Sequence, residues 1–242
     1  MNLHIFKSKE EMSDELALWM CKVISDTLKE QEYFTLVLSG GQTPKLLYTK
    51  LASKDFKEKI NWKRIHIFWG DERVVPFNDD RNNAKMVFDI LIDHLDIPSG
   101  NVHIIRTDIE PNFSVDAYRK MLHTYFDNTS KSFDLALLGI GDDGHTLSLF
   151  PGSPIIEDHI HWVNSVYYLK QEMYRITLMP ILVNRSSNIV FIVDGPKKSK
   201  VLQQVLEGEY QPTKFPAQII KPEVGELHWF LDEAAAKELH TL

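Results

Sequence analysis

The segment Phe34-Thr35-Leu36-Val37-Leu38 constrains the fold most, because an almost wholly apolar run leads straight into Ser39-Gly40-Gly41-Gln42-Thr43-Pro44. A half-exposed strand alternates apolar and polar positions. A continuous apolar run closed by glycines describes a strand buried on both faces. Such strands belong to parallel sheets covered on both sides. Comparable short runs recur at 3–6, 65–69, 133–138, 162–166, 188–193 and 227–231.

Helical patterns fill the intervals. Ser8 and Glu11 form a capping-box signature that opens a helix reaching about residue 30. Pro44 suits a first helical turn, where its missing N–H has no partner to lose. Further helices are expected over 82–94, 113–127, 178–184, 196–206 and 232–239. The alternation predicts an α/β fold, a mainly parallel sheet flanked by helices on both faces. No repeat and no Gly/Ser- or Pro-rich linker interrupts the sequence, so a single domain over residues 1–242 is expected.

Composition narrows the function classes. The net charge is −7 and no Lys/Arg run is present, which argues against nucleic-acid binding. An anionic ligand would have to be held by a few local cations and backbone N–H groups against that overall field. Cys21 is the only cysteine, so an internal disulfide is impossible and a reducing compartment is expected. The N-terminal apolar run is too short for a signal peptide and no stretch has membrane-span length. The sequons at Asn112, Asn128 and Asn184 then read as chance matches, and a cytoplasmic protein is expected.

In an α/β sheet, ligands sit beyond the carboxyl ends of the strands. The loops after the predicted strands are therefore where chemistry is expected. Gly40, Gly41, Gln42 and Thr43 follow the strand 34–38 and precede a helix. They read either as a phosphate cradle at a helix N-terminus or as a tight turn with a helix cap. Gly70-Asp71-Glu72-Arg73 follows the strand 65–69. The planar fork of Arg73 suits a phosphate, and Asp71 can orient it or meet sugar hydroxyls. A surface ion cluster is the competing reading. Lys198 follows the strand 188–193 in the first turn of the next helix, where the dipole disfavours a cation unless an anion binds there; a solvated lysine is the alternative.

The loop Gly139-Ile140-Gly141-Asp142-Asp143-Gly144-His145-Thr146 imitates two nucleotide motifs and fits neither. Its G-x-G-x-x-G spacing would set Asp142 and Asp143 against a pyrophosphate, and His145 stands where a P-loop needs lysine. It does place a histidine two residues after a carboxylate. Histidine titrates near ~6.5 when unperturbed, so His145 can serve as a neutral base with Asp143 fixing its tautomer, or can fill a polar core position. No His/Cys cluster or H-E-x-x-H motif indicates a metal, no G-x-S-x-G elbow marks a nucleophilic serine, and no cofactor is expected.

Together these segments resemble the 6-phosphogluconolactonase family, within the wider glucosamine/galactosamine-6-phosphate isomerase group. The resemblance rests on Leu38 to Pro44, Gly70 to Pro76, Gly139 to Gly152, Arg175-Ile176-Thr177-Leu178, Gly195 to Lys198 and Leu227 to Asp232, in order along nearly the whole chain. It implies a modified Rossmann-type sheet. It also implies hydrolysis of 6-phospho-D-glucono-1,5-lactone to 6-phosphogluconate, a step of the oxidative pentose phosphate pathway. His145 would be the base that deprotonates water, with Asp143 as its acidic companion. Arg73 and Lys198 would hold the phosphate, with Gly40 to Thr43 lining the same pocket. The expected partner is a phosphorylated sugar lactone, bound by a monomer or homodimer. Asn82-Asn83 and Leu147 depart from the family's usual Ser-Asn and small residue. The related glucosamine-6-phosphate deaminases are the alternative. They typically carry Tyr where this chain has Arg73, and a carboxylate where it has Phe150.

Overall fold

The structure is a computed structural model that describes residues 1–240. The strands are β1 (Asn2–Phe6), β2 (Phe34–Leu38), β3 (Ile65–Trp69), β4 (Asp71–Arg73), β5 (Val102–His103), β6 (Leu135–Leu138), β7 (Val163–Tyr168), β8 (Met173–Leu178), β9 (Asn188–Val193) and β10 (Glu226–Asp232). The helices are α1 (Lys9–Glu30), α2 (Thr43–Leu51), α3 (Lys54–Lys57), α4 (Asn83–Ile90), α5 (Pro111–Phe126), α6 (Pro180–Val183), α7 (Ser199–Glu207) and α8 (Glu233–Ala236).

Seven strands form one parallel sheet in the order β1-β10-β9-β6-β2-β3-β5. Every residue of β2 and of β6 is buried, although successive side chains point to opposite faces, so both faces are covered. Helices flank the sheet, as the apolar runs predict. One hydrophobic cluster gathers residues from Met12 to Leu239 around it. The expected domain runs to residue 242, and Thr241 and Leu242 lie outside the described residues. Among the described residues no helix is long and apolar enough to cross a membrane.

The strand order locates a crevice. From β2 the chain moves outward to β3 and β5, and from β6 it moves the opposite way to β9 and β10. The direction reverses between β2 and β6, which are neighbours, so the loops leaving them diverge. Those loops are Ser39 to Gln42 and Gly139 to Ser148.

A second sheet was not foreseen. It is antiparallel, in the order β4-β8-β7. The predicted strand 162–166 belongs here, as β7, and not to the parallel sheet. The polar triplet Asp71-Glu72-Arg73, read as loop, is strand β4, paired with β8 so that Arg73 lies opposite Arg175. Gly70 is the joint between the sheets: its N–H bonds Leu38 O at 3.0 Å and its carbonyl accepts from Leu178 N at 2.8 Å. Helix boundaries shift modestly. The helix expected over 178–184 is only Pro180–Val183, because Leu178 completes β8. The helix expected from Pro196 opens as a 3-10 turn, and Lys198 stands at the N-cap of α7 instead of inside its first turn.

Candidate active site

Two buried tyrosines fix the strand ends from which the loops depart. Tyr48 donates to Ser39 O at 2.8 Å and accepts from Ser39 N at 3.1 Å. Tyr118 does the same for Trp69, with both bonds 2.9 Å. Each hydroxyl replaces the ladder partner that a strand loses where it ends, so the turns start from rigid points.

The first turn is built around its glycines. A Cβ on Gly40 would lie 1.7 Å from Asn83 Oδ1, so only glycine fits against that side chain. Gly41 has φ of +96°, which side chains rarely adopt. The Gly40 and Gly41 N–H groups donate to no protein acceptor among the described residues. They precede α2, where free N–H groups and the helix dipole favour an anion.

The histidine loop is locked from within. Gly141 N bonds His145 O at 2.8 Å, Gly144 N bonds Gly141 O at 3.1 Å, and Thr146 Oγ1 donates to Gly139 O at 2.8 Å. His145 Nδ1 meets Asp143 Oδ1 at 2.5 Å. That bond holds the Asp143 carboxyl down at about 2, so it is ionised at neutral pH. An Nδ1–H donated to Asp143 leaves Nε2 as the basic nitrogen, and Nε2 has no protein partner among the described residues. Phe150 packs on the imidazole with ring centroids 4.8 Å apart, and Tyr168 stacks on Phe150 at 3.8 Å.

The strand pair β4–β8 supplies two guanidiniums side by side. Like charges directly opposite on a ladder repel, so a site of this kind calls for an anion. The Nε atoms of Arg73 and Arg175 are both buried without a partner among the described residues. Arg73 donates Nη1 to Arg81 O at 2.8 Å, while Arg175 bonds the Gln171 side chain and approaches Asp71 no closer than 3.8 Å. Burial, with Arg73 adding to it and Asp71 opposing it, pulls Arg175 down to about 10, which leaves it charged at neutral pH. Asp71 is committed elsewhere as well: Ser148 donates to it at 2.6 Å and Asn83 Nδ2 to its carbonyl at 2.9 Å.

These groups line one cavity of about 420 Å³ at the carboxyl end of the parallel sheet. Gly40, Gly41, Gln42, Thr43, Asp71, Arg73, His145 and Lys198 all border it. Asp143 does not; it stands behind His145. An adjoining cavity of about 320 Å³ shares Arg73 and Arg175 and adds Lys45 and Arg81. Among the described residues no group of three or more His, Cys, Asp or Glu is placed to hold a metal ion.

Sequence reasoning missed Arg175, Gln171, Asn83 and Tyr168, which also border the cavity. Arg175 did leave a signal. It is a lone arginine within Met173-Tyr174-Arg175-Ile176-Thr177-Leu178, and it is 5% exposed. An arginine that deep needs a purpose. Asn83 matches the asparagine of the family's Ser-Asn pair but was noted only for its neighbour Asn82, and Gln171 left no signal, because a glutamine in a short loop is ordinary at surfaces.

A parallel sheet whose switch-point crevice joins a carboxylate-held imidazole to a paired set of guanidiniums defines an α/β protein with a cationic, imidazole-bearing cleft. The chain belongs to the glucosamine-6-phosphate isomerase/6-phosphogluconolactonase family, whose model matches residues 7–229. It is 37% identical over 222 residues to a 6-phosphogluconolactonase of Synechocystis sp., covering 89% of each chain. It is 34% identical over 239 residues to a 6-phosphogluconolactonase of Haemophilus influenzae, covering 99% of this chain and all of that one. The crystal structure of 6-phosphogluconolactonase from Thermotoga maritima superposes with a TM-score of 0.80 at 28% identity, covering 96% of this chain and 99% of that one.

Proposed function

We propose that this protein hydrolyses 6-phospho-D-glucono-1,5-lactone to 6-phosphogluconate, with His145 as general base. The observation that carries the reading is the shared cavity: His145, oriented by Asp143, borders the same space as Arg73, Arg175 and Lys198. The phosphate is anchored between the two guanidiniums, with Lys198 and the N–H groups of Gly40 to Thr43 completing its shell. Arg175 is an addition to the set expected from sequence. Anchoring the phosphate brings the lactone carbonyl to His145.

His145 Nε2 takes a proton from water as the water oxygen bonds the carbonyl carbon. Asp143 steadies the imidazolium that results. The tetrahedral intermediate collapses by breaking the bond from that carbon to the ring oxygen. The ring oxygen receives the proton from His145 and leaves as a hydroxyl, and the new carboxylic acid ionises. Phe150 and the stacked Tyr168 wall the imidazole on one side. Phe150 supplies no carboxylate, which favours lactone hydrolysis over the deaminase chemistry of the related branch. The reading treats residues 1–242 as a single domain, acting as a monomer or homodimer on a phosphorylated sugar lactone without metal or cofactor.

The direct test is turnover by the purified protein. Freshly made 6-phosphogluconolactone should be opened far faster than its spontaneous rate, and glucosamine 6-phosphate should release no ammonia. Ammonia release without lactone opening would reverse the assignment.

A further inference from the structure

Lys198 already has a partner at the cavity. Its Nζ stands 2.5 Å from Asp142 Oδ1, an ion pair between the loops that follow β6 and β9. The lysine side chain is 21% exposed and the aspartate 72%, so the aspartate is the more solvent-exposed partner of the pair. We propose that Asp142 is a removable internal counter-ion, which the substrate phosphate displaces from Lys198 on binding. The proposal rests on the phosphate-binding role given to Lys198 above.

The two halves of the cation set differ in this respect. Among the described residues, Arg73 and Arg175 have no carboxylate within 3.5 Å of their guanidiniums, the nearest being Asp71 at 3.8 Å from Arg175. They form a standing positive site. Lys198 is conditional, held by Asp142 until something stronger arrives. The neighbouring hydroxyl is engaged too, since Thr43 Oγ1 donates to Asp194 at 2.5 Å. A phosphate monoester carries about −1.5 to −2 charge near neutral pH and three acceptor oxygens. It outbids a single carboxylate that solvent already screens. A monoanion of similar size gains little by the same exchange. Asp142 thus lowers affinity for all anions but penalises the weakly charged ones most.

The exchange can occur without moving the base. The loop around Asp142 is fixed by Gly141 N to His145 O, by Gly144 N to Gly141 O, and by Ala217 N to Gly144 O at 2.9 Å. Asp143 is held by His145. Only the Asp142 side chain has to swing outward. Asp142 is therefore a positioning residue for Lys198, and its effect should fall on binding.

A double-mutant cycle tests this, with 6-phosphogluconate as the probe and its Kd read by calorimetry. Asp142→Asn should tighten binding by about 3–10-fold in the wild-type background, the scale of a part-exposed ion pair. In a Lys198→Ala background the same substitution should change Kd less than about 2-fold, because the lysine it paired with is gone. KM for the lactone should follow Kd. No tightening, or equal tightening in both backgrounds, would overturn the proposal, the latter showing only a general field effect. If Lys198→Ala alone bound the probe as tightly as wild type, the fault would lie in the phosphate-site assignment, and the exchange would fall with it. Far-UV circular dichroism of each variant shows that the fold is retained.

Discussion

At the scale of single residues, the site depends on atoms that glycines leave out. A Cβ on Gly141 would lie 2.1 Å from His145 Nδ1 and 2.8 Å from Asp143 Oδ1. Gly141→Ala must therefore push the imidazole off its carboxylate. Its φ is not in the left-handed region, so the backbone itself tolerates alanine. The expected outcome is a loss of kcat of at least ~10²-fold, with a melting temperature within a few degrees of wild type by calorimetry. An unimpaired Gly141→Ala enzyme would mean that the His145–Asp143 contact is dispensable. The histidine and its carboxylate were legible in the sequence because their spacing on a glycine-rich turn is unusual. The reason for Gly141 was not, since a clash with a side chain four residues on exists only once the turn is closed.

At the scale of elements, the decisive feature is the short strand β4. Asp71-Glu72-Arg73 reads as a polar loop, and three residues carry too little pattern to suggest a strand. Pairing with β8 turns it into a platform that sets Arg73 beside Arg175. Glu72 then faces inward and accepts from the backbone N–H groups of Arg73, Asn83 and Ala84, tying β4 to the start of α4. Burial pushes its carboxyl up to about 7, with those three donors working the other way. The same platform yields a prediction for Arg175. Arg175→Ala should raise KM for the lactone by roughly 10–100-fold, since a charge-assisted phosphate contact is worth about 1.5–3 kcal/mol. Steady-state kinetics check this, and an unchanged KM would remove Arg175 from the phosphate site. Strands β2, β3 and β9 were read with their boundaries intact, because burial on both faces leaves a continuous apolar signature. Strands β4 and β5 escaped because they are too short to carry a pattern, and β8, whose Tyr, Ile and Thr do favour a strand, was missed although its composition allowed it.

At the scale of the whole molecule, topology and charge act together. The reversal of strand order between β2 and β6 opens the crevice, and the net charge of −7 surrounds a locally cationic cavity. The sheet also holds partly or fully buried histidines away from the site. Burial lowers His4, His66, His103 and His228, and His103, beside His66, falls to about 4. These groups bind protons more readily in the unfolded chain, whose histidines titrate near ~6.5. Their contribution to stability is therefore complete above that value and is lost as pH falls toward about 4. Urea unfolding should show a lower midpoint at pH ~4.5 than at pH ~7, and His103→Asn should flatten that slope. A slope unchanged in the variant would mean that His103 is not one of the groups responsible.

The central claim is that one imidazole supplies the chemistry while the cations lining the same cavity supply the hold. The most direct measurement is the steady-state kinetics of His145→Ala on 6-phosphogluconolactone, corrected for spontaneous opening. The predicted result is kcat reduced by about 10²–10⁴-fold with KM within a few-fold of wild type. A variant that keeps its kcat, or that loses only affinity, would contradict the account.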